Sequence, residues 1–418
     1  MNPRRVVITG VGGVTPIGSG RAALWSGVES GESAVRRLTR FDPSQFRSQT
    51  AAEIDDFDPL NYMDARTAKR LDLFAQFGVV AALQAAEDAN LGKSAVEPAR
   101  CGVSVGSALG GLAFGEDQHS VFREDGIRAI PPMLALTVYG GSSGAHIAME
   151  LDLRGPNLAN ANSCASGAMA VGEAFHVIAR GEADVMYAGG VEAPLSPLMY
   201  GAFCVIRAMS TRNDEPELAS RPFDSARDGF VMGEGSAVLV LEERNRALRR
   251  DVPIYAELLG YGQSNDAYHM TAPRPDGRES ARAIRMALQS ASVDPVDIEY
   301  VNAHATGTPL GDVAESRAIQ CALGAHTAGI PVSGTKGLYG HALGASGAIE
   351  VAITALALHC GYLPGTRNLD QIDPQCSLAV LPPAGRSAFV GCALTTSFGF
   401  GGANAALVLA RPEFVSSG

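Results

Sequence analysis

The feature that most constrains the fold is a pattern of strand-forming residues that begins a second time near residue 251. Residues 5–9 form a β-branched run that leads into Gly-Val-Gly-Gly, and residues 254–262 form an apolar run that ends in Gly-Tyr-Gly. The strong strand predicted at 237–241 has a similar counterpart at 405–410. Helical patterns separate these runs, which is typical of an α/β protein. The sequence therefore predicts two similar α/β halves.

The two halves are expected to share one core, because no low-complexity linker separates them. We expect the first strand to end in a tight turn at its glycines. The other elements that the sequence predicts are helices at 20–30, 64–90 and 278–291, and strands at 102–107, 184–190, 300–303 and 388–392.

Charge and cysteine content exclude several classes of protein. The formal net charge is −11, which argues against nucleic-acid binding. The seven cysteines are scattered and lack a C-x-x-C pair, so neither a disulfide framework nor a zinc site is expected, and a reducing cytoplasm fits. The apolar run at residues 6–8 is too short for a signal peptide. No apolar run approaches 18 residues, so no membrane span is expected.

Cys164 is the candidate nucleophile. Residues 162–167 read Asn-Ser-Cys-Ala-Ser-Gly and lead into a small-residue helix, whose N-terminus would favour thiolate over thiol. That effect is worth about 0.3–1 kcal/mol, whereas one pKa unit corresponds to about 1.36 kcal/mol. A second polarising group must therefore lie nearby if the thiol is reactive. The alternative is a buried structural cysteine.

Three stretches of the second half favour a reactive thiol. His304 ends a predicted strand beside Gly, Pro and two Thr, a setting typical of a cleft. Lys336 and His341 lie in a glycine-punctuated segment before a small-residue helix that contains Glu350. Residues 395–404 are rich in glycine, which leaves backbone N–H groups free to face a developing negative charge. One Cys, two His and such a loop suit thioester chemistry.

Two further motifs have competing interpretations. Arg66, Lys69 and Arg70 share one face of the helix predicted at 64–90, which is either an ordinary solvated face or a dock for an acidic partner. Residues 140–144 match the G-x-S-x-G elbow of hydrolases around Ser142. The segment before that elbow is short for the strand that the motif requires, so we rank the hydrolase hypothesis low.

Taken together, these motifs resemble the β-ketoacyl-acyl carrier protein synthases, closest to the type II elongating enzymes of bacteria, and the resemblance runs from end to end. The stretches that carry it are Arg-Gly-Pro at 154–156, Asn-Ser-Cys-Ala-Ser-Gly at 162–167, Ala-Met-Ser-Thr-Arg-Asn-Asp at 208–214, Arg-Pro-Phe-Asp at 221–224, Asn-Asp-Ala-Tyr-His-Met-Thr at 265–271, Val-Asn-Ala-His at 301–304, Gly-His at 340–341 and Ser-Phe-Gly-Phe-Gly-Gly-Ala-Asn at 397–404.

The resemblance implies a thiolase fold, in which two pseudo-repeated halves form five αβαβα layers and the protein works as a dimer. Residues 1–250 would form the half that carries the nucleophile, and residues 251–412 the half that carries the histidines, the lysine and the glycine-rich loop 399–402. It also implies a decarboxylative Claisen condensation. Cys164 would take an acyl chain from a thioester, malonyl-carrier protein would lose CO2, and the carbanion would attack the acyl group to lengthen it by two carbons.

The roles of individual residues are likewise implied by the resemblance. His304 and His341 would stabilise the enolate through Nε2–H, and Lys336 would support the site through Glu350. The oxyanion hole and gate would comprise Cys164, Gly399, Phe400 and Gly401, and phosphopantetheine would contact Thr306, Thr308 and Phe398. The acyl pocket would include Leu109, Tyr139, Phe203 and Val205, and carrier protein would dock on Arg66, Lys69, Arg70 and Arg207. No cofactor or metal is expected, because the substrates are carried on the phosphopantetheine of acyl carrier protein.

The sequence departs from the family pattern in the acyl-pocket region. Residues 139–144 read Tyr-Gly-Gly-Ser-Ser-Gly where bulkier apolar residues are usual, and residues 203–207 read Phe-Cys-Val-Ile-Arg where smaller ones are usual. These changes leave the acyl substrate open, including a rigid, polyene or aromatic chain of a specialised pathway. They also leave open whether the second subunit is an identical copy or a chain-length-factor homologue.

Three alternatives compete with the condensing enzyme. A silent chain-length-factor subunit is disfavoured because such subunits lack the nucleophile, whereas Cys164 is present. A thiolase acting on coenzyme A thioesters would need a second catalytic cysteine near the C-terminus, for which Cys392 is the candidate in a predicted strand. The hydrolase built on Ser142 ranks last.

Overall fold

The computed structural model describes residues 3–92 and 96–416. The helices are α1 (Arg21–Ser30), α2 (Ala65–Ala68), α3 (Leu73–Asp88), α4 (Leu112–Asp125), α5 (Leu134–Thr137), α6 (Ser142–Leu151), α7 (Ser166–Ala179), α8 (Pro197–Val205), α9 (Arg244–Arg250), α10 (Arg278–Ala291), α11 (Pro309–Leu323), α12 (Lys336–Tyr339) and α13 (Ser346–Cys360). The strands are β1 (Val6–Thr15), β2 (Gly18–Ser19), β3 (Arg36–Arg37), β4 (Thr50–Ala52), β5 (Cys101–Gly106), β6 (Asn157–Asn160), β7 (Val185–Glu192), β8 (Met232–Gly233), β9 (Gly235–Glu243), β10 (Ala256–Asn265), β11 (Tyr300–Asn302), β12 (Pro331–Ser333), β13 (Tyr362–Leu363), β14 (Ala379–Val380), β15 (Arg386–Ser387), β16 (Cys392–Gly399) and β17 (Ala403–Ala410).

The order of the main strands repeats on the two sides of a central antiparallel pair. β1 pairs with β10 in the register Val6↔Leu258. Outward from β1 the strands are β9, β7, β5 and β6, and outward from β10 they are β17, β16, β11 and β12, with β14 at the far edge. In both directions the first two steps are antiparallel and the next two are parallel. The duplication inferred from the sequence is therefore visible in the sheet, whereas a boundary at residue 250 stays a prediction.

Helices and sheets form five layers around three apolar cores. α7 and α13 pack against each other between the two halves, α3 and α6 cover the outer face of the first half, and α10 and α11 cover that of the second. Successive strand residues point to opposite faces. Leu239 and Leu407 accordingly face the central core, whereas Val240 and Val408 face the two outer cores. Because both faces are covered, the strands are almost continuously apolar.

One helical segment is more apolar than the sequence analysis predicted. Residues 343–360 form an 18-residue stretch of mean hydropathy 1.5, long enough to cross a membrane by length and composition alone. Of this stretch, 89% is buried inside the protein, where α13 packs on α7. Its apolar character is therefore that of a helix in the central layer of the fold.

The turn predicted after residue 9 is wrong, because β1 continues through its glycines to Thr15. A Cβ added at Gly12 would lie 1.9 Å from the backbone oxygen of Ala81 in α3. In the second half, a Cβ added at Gly262 would lie 2.2 Å from the backbone oxygen of Ala283 in α10. The glycines of both strands thus allow a helix to approach the sheet closely.

We expect Gly12→Ala to lower the free energy of unfolding by at least about 1–3 kcal/mol, the usual cost of overpacking a core. The added methyl group would meet backbone, which cannot swing aside as a side chain can. Urea unfolding of both proteins measures the difference. Gly140→Ala is the control, because its Cβ would meet no atom within 4 Å among the residues that the structure describes. Equal stability of the two variants would contradict this account.

Two other predicted elements need correction. The helix predicted at 64–90 is divided into α2 and α3, because the side chain of Asp72 accepts a hydrogen bond from the N–H of Leu73 and starts a new helix. Arg66, Lys69 and Arg70 are exposed, but they lie on the short α2 and the turn after it instead of on one long helical face. The strand predicted at 388–392 begins only at Cys392.

Candidate active site

Cys164 lies in a one-turn 3-10 helix, Ser163–Ala165, immediately before α7. Ser163 adopts a positive φ of 53°, an uncommon conformation for a serine, and this bend turns the chain from β6 into the helix. The thiol is buried, and desolvation raises its pKa. Three groups oppose that rise, namely the Ser163 hydroxyl, the Lys336 charge and the backbone N–H of Phe400. These are the additional polarising groups that a reactive thiol needs, because the helix dipole alone is too weak.

His304 lies in the loop after β11, and a buried carboxylate binds the backbone of this loop. Glu315 on α11 accepts hydrogen bonds from the backbone N–H of His304 at 2.8 Å and from that of Ala305 at 2.7 Å. Ala305 has a positive φ of 36°, so the carboxylate stabilises an otherwise strained bend. Glu315 was not predicted from the sequence, because nothing in a helix pattern indicates that one glutamate points into a neighbouring loop.

Lys336 is fully buried behind His304. Its ammonium group donates hydrogen bonds to the backbone oxygen of His304 and to a carboxylate oxygen of Glu350, and it lies 3.3 Å from His304 Nδ1. An ammonium group only donates, so Nδ1 must accept and the ring proton lies on Nε2. Burial raises the pKa of Glu350 to about 8, and the Lys336 charge opposes that rise.

His341 approaches the thiol from the other side. Its Nδ1 lies 2.8 Å from the hydroxyl of Ser346, the first residue of α13, which leaves Nε2 for a substrate. Its ring lies 5.3 Å from that of His304, at an interplanar angle of 83°. Burial and Lys336 lower the pKa of both rings well below 6.5, and for His304 the neighbouring His341 adds to the effect. Both imidazoles are therefore neutral near pH 7.

The three side chains converge on one point. The sulfur of Cys164 and one ring nitrogen each of His304 and His341 lie within 4.8 Å of one another. Zinc favours such donors, but the Lys336 ammonium beside His304 opposes a divalent cation. The arrangement suits a nucleophile flanked by two neutral imidazoles. His304 offers Nε2–H, and His341 does so when the Ser346 hydroxyl donates to its Nδ1.

The glycine-rich segment at the end of β16 lies directly against Cys164. The N–H of Phe400 hydrogen-bonds to Cys164, and Ser397 Oγ donates to the backbone oxygen of Cys164 at 3.1 Å. A Cβ at Gly399 would lie 3.0 Å from the backbone oxygen of Asn162 and 3.1 Å from the backbone nitrogen of Cys164, so a larger residue would crowd the turn that carries Cys164. Gly401 turns the loop with a φ of 80°.

A cleft connects the surface to Cys164. Thr306, Thr308, Phe398 and Phe400, which the sequence analysis named, line it. It is also lined by residues without a predicted role, including Asp266, His269, Thr271, Ser280 and Asn404. The signal for all of these except Ser280 was present, because residues 265–271 and 397–404 are among the stretches that carry the resemblance.

The residues predicted for the acyl pocket fall into two groups. Leu109 and Phe203 pack against the apolar cluster that contains Cys164, and the Phe203 ring stacks on that of Phe400 at 6.3 Å. Tyr139 and Val205 are 48% and 80% exposed, so in the single chain they do not reach the cluster. The inward face of α8 carries Tyr200 and Cys204 instead, because helical spacing turns Val205 outward.

We expect Lys336→Met to lower the free energy of unfolding by about 3–5 kcal/mol, because it removes one partner of a buried pair and leaves the Glu350 carboxyl group and the backbone oxygen of His304 buried without their donor. The double variant Lys336→Met with Glu350→Leu should recover most of that loss without recovering activity, since His304 would still lack its Nδ1 donor. Denaturant unfolding and a turnover assay measure the two effects. A single variant within 1 kcal/mol of the parent protein would show that the pair is not coupled as described.

Family models and curated relatives match nearly the whole chain. The model for the β-ketoacyl synthase N-terminal domain matches residues 3–247, and that for the C-terminal domain matches residues 255–370. The chain is 43% identical over 412 residues to 3-oxoacyl-[acyl-carrier-protein] synthase 2 of Synechocystis sp., a match that covers 98% of this chain and 99% of the relative. It is 42% identical over 411 residues to the protein of the same name from Coxiella burnetii, with the same coverage.

Solved structures agree with these matches. A ketosynthase of a type II polyketide synthase, solved with its acyl-carrier protein and bound to the hexaketide, superposes with a TM-score of 0.91 at 34% identity, covering 98% of this chain and 100% of that one. The ishigamide ketosynthase/chain length factor superposes with a TM-score of 0.90 at 33% identity, covering 98% and 99%. The predicted α/β thiolase fold is confirmed, and the chain belongs to the β-ketoacyl synthase family.

Proposed function

We propose that this protein is a β-ketoacyl-acyl carrier protein synthase that extends an acyl chain by decarboxylative Claisen condensation, in fatty-acid or specialised polyketide or polyene synthesis. The observation that carries the proposal is the convergence of the Cys164 sulfur with ring nitrogens of His304 and His341 within 4.8 Å. Relatives that match almost the full chain are named as synthases of this class.

In the first half-reaction, the Cys164 sulfur attacks the carbonyl carbon of an acyl thioester. The C–S bond to the donor breaks, the donor leaves as a thiol with the proton from Cys164, and the acyl group remains on Cys164. The backbone N–H groups of Cys164 and Phe400 face the oxyanion of the tetrahedral intermediate. Phosphopantetheine enters along the cleft past Thr306 and Thr308.

In the second half-reaction, malonyl thioester loses CO2 and leaves an enolate. Donors aimed at developing charge are typically the largest contribution to such a step, and we assign this role to the Nε2–H groups of His304 and His341. The enolate carbon attacks the acyl carbonyl and a C–C bond forms. The C–S bond to Cys164 breaks, and Cys164 leaves as thiolate and takes a proton from solvent. Lys336 keeps the His304 proton on Nε2 throughout and is a positioning residue.

Acyl carrier protein is the proposed partner and the carrier of both substrates, so no bound cofactor is required. A related ketosynthase has been solved with its carrier protein. Carrier-protein docking is assigned to Arg66, Lys69, Arg70 and Arg207, which are all exposed. On a chain of net charge −11, a local group of cations attracts an acidic partner selectively.

We expect Lys69→Glu with Arg70→Glu to raise KM for malonyl-carrier protein about tenfold or more, because charge reversal at an interface costs at least about 1.4 kcal/mol. The rate with malonyl-pantetheine, which lacks the protein, should not change. Steady-state kinetics at two salt concentrations measure the effect. Arg249→Glu, an exposed charge reversal on α9, is the control. An equal KM increase in the control would refute the assigned surface.

We further propose a cytoplasmic dimer, formed with a second copy or with a chain-length-factor homologue. The edge strand β6 is mostly exposed, and an unpaired sheet edge seldom remains uncovered. Large apolar side chains that are exposed in the same part of the chain include Phe122, Ile127, Met133, Leu136, Tyr139 and Leu158. Light scattering of the protein alone distinguishes a homodimer from a monomer that requires a partner.

The alternatives are less compatible with the geometry. Cys392 lies at the start of β16, at the opposite end of the strand from Gly399. Burial raises its pKa to about 12. Cys392 is therefore not suited to be the second catalytic cysteine of a thiolase. Ser142 is buried and donates to the backbone oxygen of Thr137 at 3.0 Å, and α5 instead of a strand precedes it, so it does not form a hydrolase elbow.

One assay separates these functions. The protein is incubated with malonyl-carrier protein and a series of acyl donors, and the products are followed by mass spectrometry. A product two carbons longer than the donor supports the proposal, and the donor series shows which acyl chain is accepted. Hydrolysis without extension would favour the hydrolase, and no reaction with any donor would favour a silent subunit.

A further inference from the structure

Glu192 is a buried carboxylate that joins two loops from different halves of the protein. It ends β7 and is fully buried. It accepts hydrogen bonds from the backbone N–H groups of Ala108 at 2.7 Å, Gly344 at 2.9 Å and Leu109 at 3.1 Å, and from Ser107 Oγ at 3.1 Å. Four donors from two segments therefore depend on one side chain.

The two loops serve the two half-reactions. Leu109 packs against the apolar cluster around Cys164, where an acyl chain must find room. Gly344 lies three residues after His341 and two before Ser346, whose hydroxyl contacts His341 Nδ1. A Cβ at Gly344 would lie 2.7 Å from Glu192 Oε2, so the carboxylate rests directly on this turn.

The internal repeat shows that the second loop is a counterpart of the nucleophile turn. The 3-10 turns Ser163–Ala165 and Leu343–Ala345 both begin with a residue of positive φ and both lead into a helix of the central layer. Gly344 thus occupies the position that corresponds to Cys164. Glu192, which belongs to the first half, accepts the hydrogen bond from the N–H of Gly344.

A second carboxylate shows what such a group does for a loop. β5 and β11 occupy equivalent places in the two halves. Glu315 binds the backbone N–H groups after β11 and so supports His304, as Glu192 binds those after β5. Glu192 differs in that it also reaches Gly344 of the other half.

We propose that Glu192 is a positioning residue that couples occupancy of the acyl pocket to the His341 turn, so that malonyl decarboxylation is fast only after Cys164 is acylated. This inference rests on the proposed function. An acyl chain displaces Leu109, the Leu109 and Ala108 N–H groups move against the shared carboxylate, and the Gly344 turn moves with it. Because the core is closely packed, such a shift passes from one loop to the other.

The test is the rate of CO2 release from malonyl-carrier protein, with and without prior acylation of Cys164. In the parent protein we expect acylation to stimulate release at least about fivefold, the lower range of typical coupling between sites. In Glu192→Gln the stimulation should fall below about twofold, because the amide replaces one acceptor by a donor that faces other donors. Leu109→Ala should lose the stimulation in the same way, although its carboxylate is intact.

Glu242→Gln is the control. Glu242 is a fully buried carboxylate on β9 that pairs with Arg246 and Arg250. It lies opposite Val185 at the start of β7, whereas Glu192 lies opposite Gly235 at the end of β7. It should keep the stimulation. A folded Glu192→Gln protein with parental stimulation, or a parent protein that condenses without any stimulation, would overturn the coupling and leave the proposed function intact. If Glu192→Gln does not fold, retained stimulation in Leu109→Ala would overturn it. A parent protein without condensation would instead refute the proposed function.

Discussion

Replacing Cys164 with alanine is expected to lower condensation at least about 1000-fold, because the covalent intermediate can no longer form. His304 and His341 remain in place in this variant, so CO2 release from malonyl-carrier protein should continue at the rate of the unacylated parent protein. The measurement compares chain-extended product with CO2 in one reaction. The two half-reactions share a pocket but depend on different residues, and this variant separates them.

Cys376→Ala is the control for loss of a buried thiol. Cys376 belongs to the apolar core of the second half, a different cluster from that of Cys164, so its variant should condense. Product formation that survives in Cys164→Ala would contradict the assignment of the nucleophile.

Replacing His304 or His341 with alanine is expected to have the opposite effect. Each variant should release CO2 about 100–1000-fold more slowly, the usual cost of removing one donor from a site that stabilises an oxyanion. Transfer of the acyl group to Cys164 should remain within a few-fold of the parent rate, because the N–H groups of Cys164 and Phe400 serve that step. Acyl-enzyme formation is followed by mass spectrometry and decarboxylation by labelled CO2.

His359→Ala provides the control, because His359 lies at the end of α13 against Tyr255, outside the cleft. The account would be wrong if the His304 and His341 variants lost acyl transfer and kept decarboxylation. Loss of both steps with an unchanged unfolding transition would indicate that the histidines activate the thiol instead.

Much of the fold was predictable because it depends on repeated local patterns. Two sets of strand runs, β1 with β9 and β10 with β17, indicated the duplication, and the structure places each set at equivalent positions in the sheet. The glycines of β1 were misread as a turn, because a glycine that admits a neighbouring helix has the same local signature as one that bends the chain. That distinction requires the packing of α3, which no short window of sequence contains.

Within the candidate site, the residues predicted from local motifs are those on turns at the ends of strands and helices. Cys164, His304, Lys336 and His341 are all of this kind, and the structure brings them together. Glu192 and Glu315 were not predicted, because their hydrogen bonds run to segments ten or more residues away or in the other half. Tyr139 and Val205 were assigned by resemblance alone, and their exposure in the single chain leaves their contact with an acyl chain a prediction.

The most direct test of the central claim is to locate the acyl group after reaction with an acyl-carrier protein alone. The protein is digested, and the peptide that contains Cys164 is analysed by mass spectrometry before and after malonyl-carrier protein is added. We predict an acyl thioester on Cys164 that disappears as a product two carbons longer forms. An acyl group on any other residue, or its release as free acid without chain extension, would contradict the account.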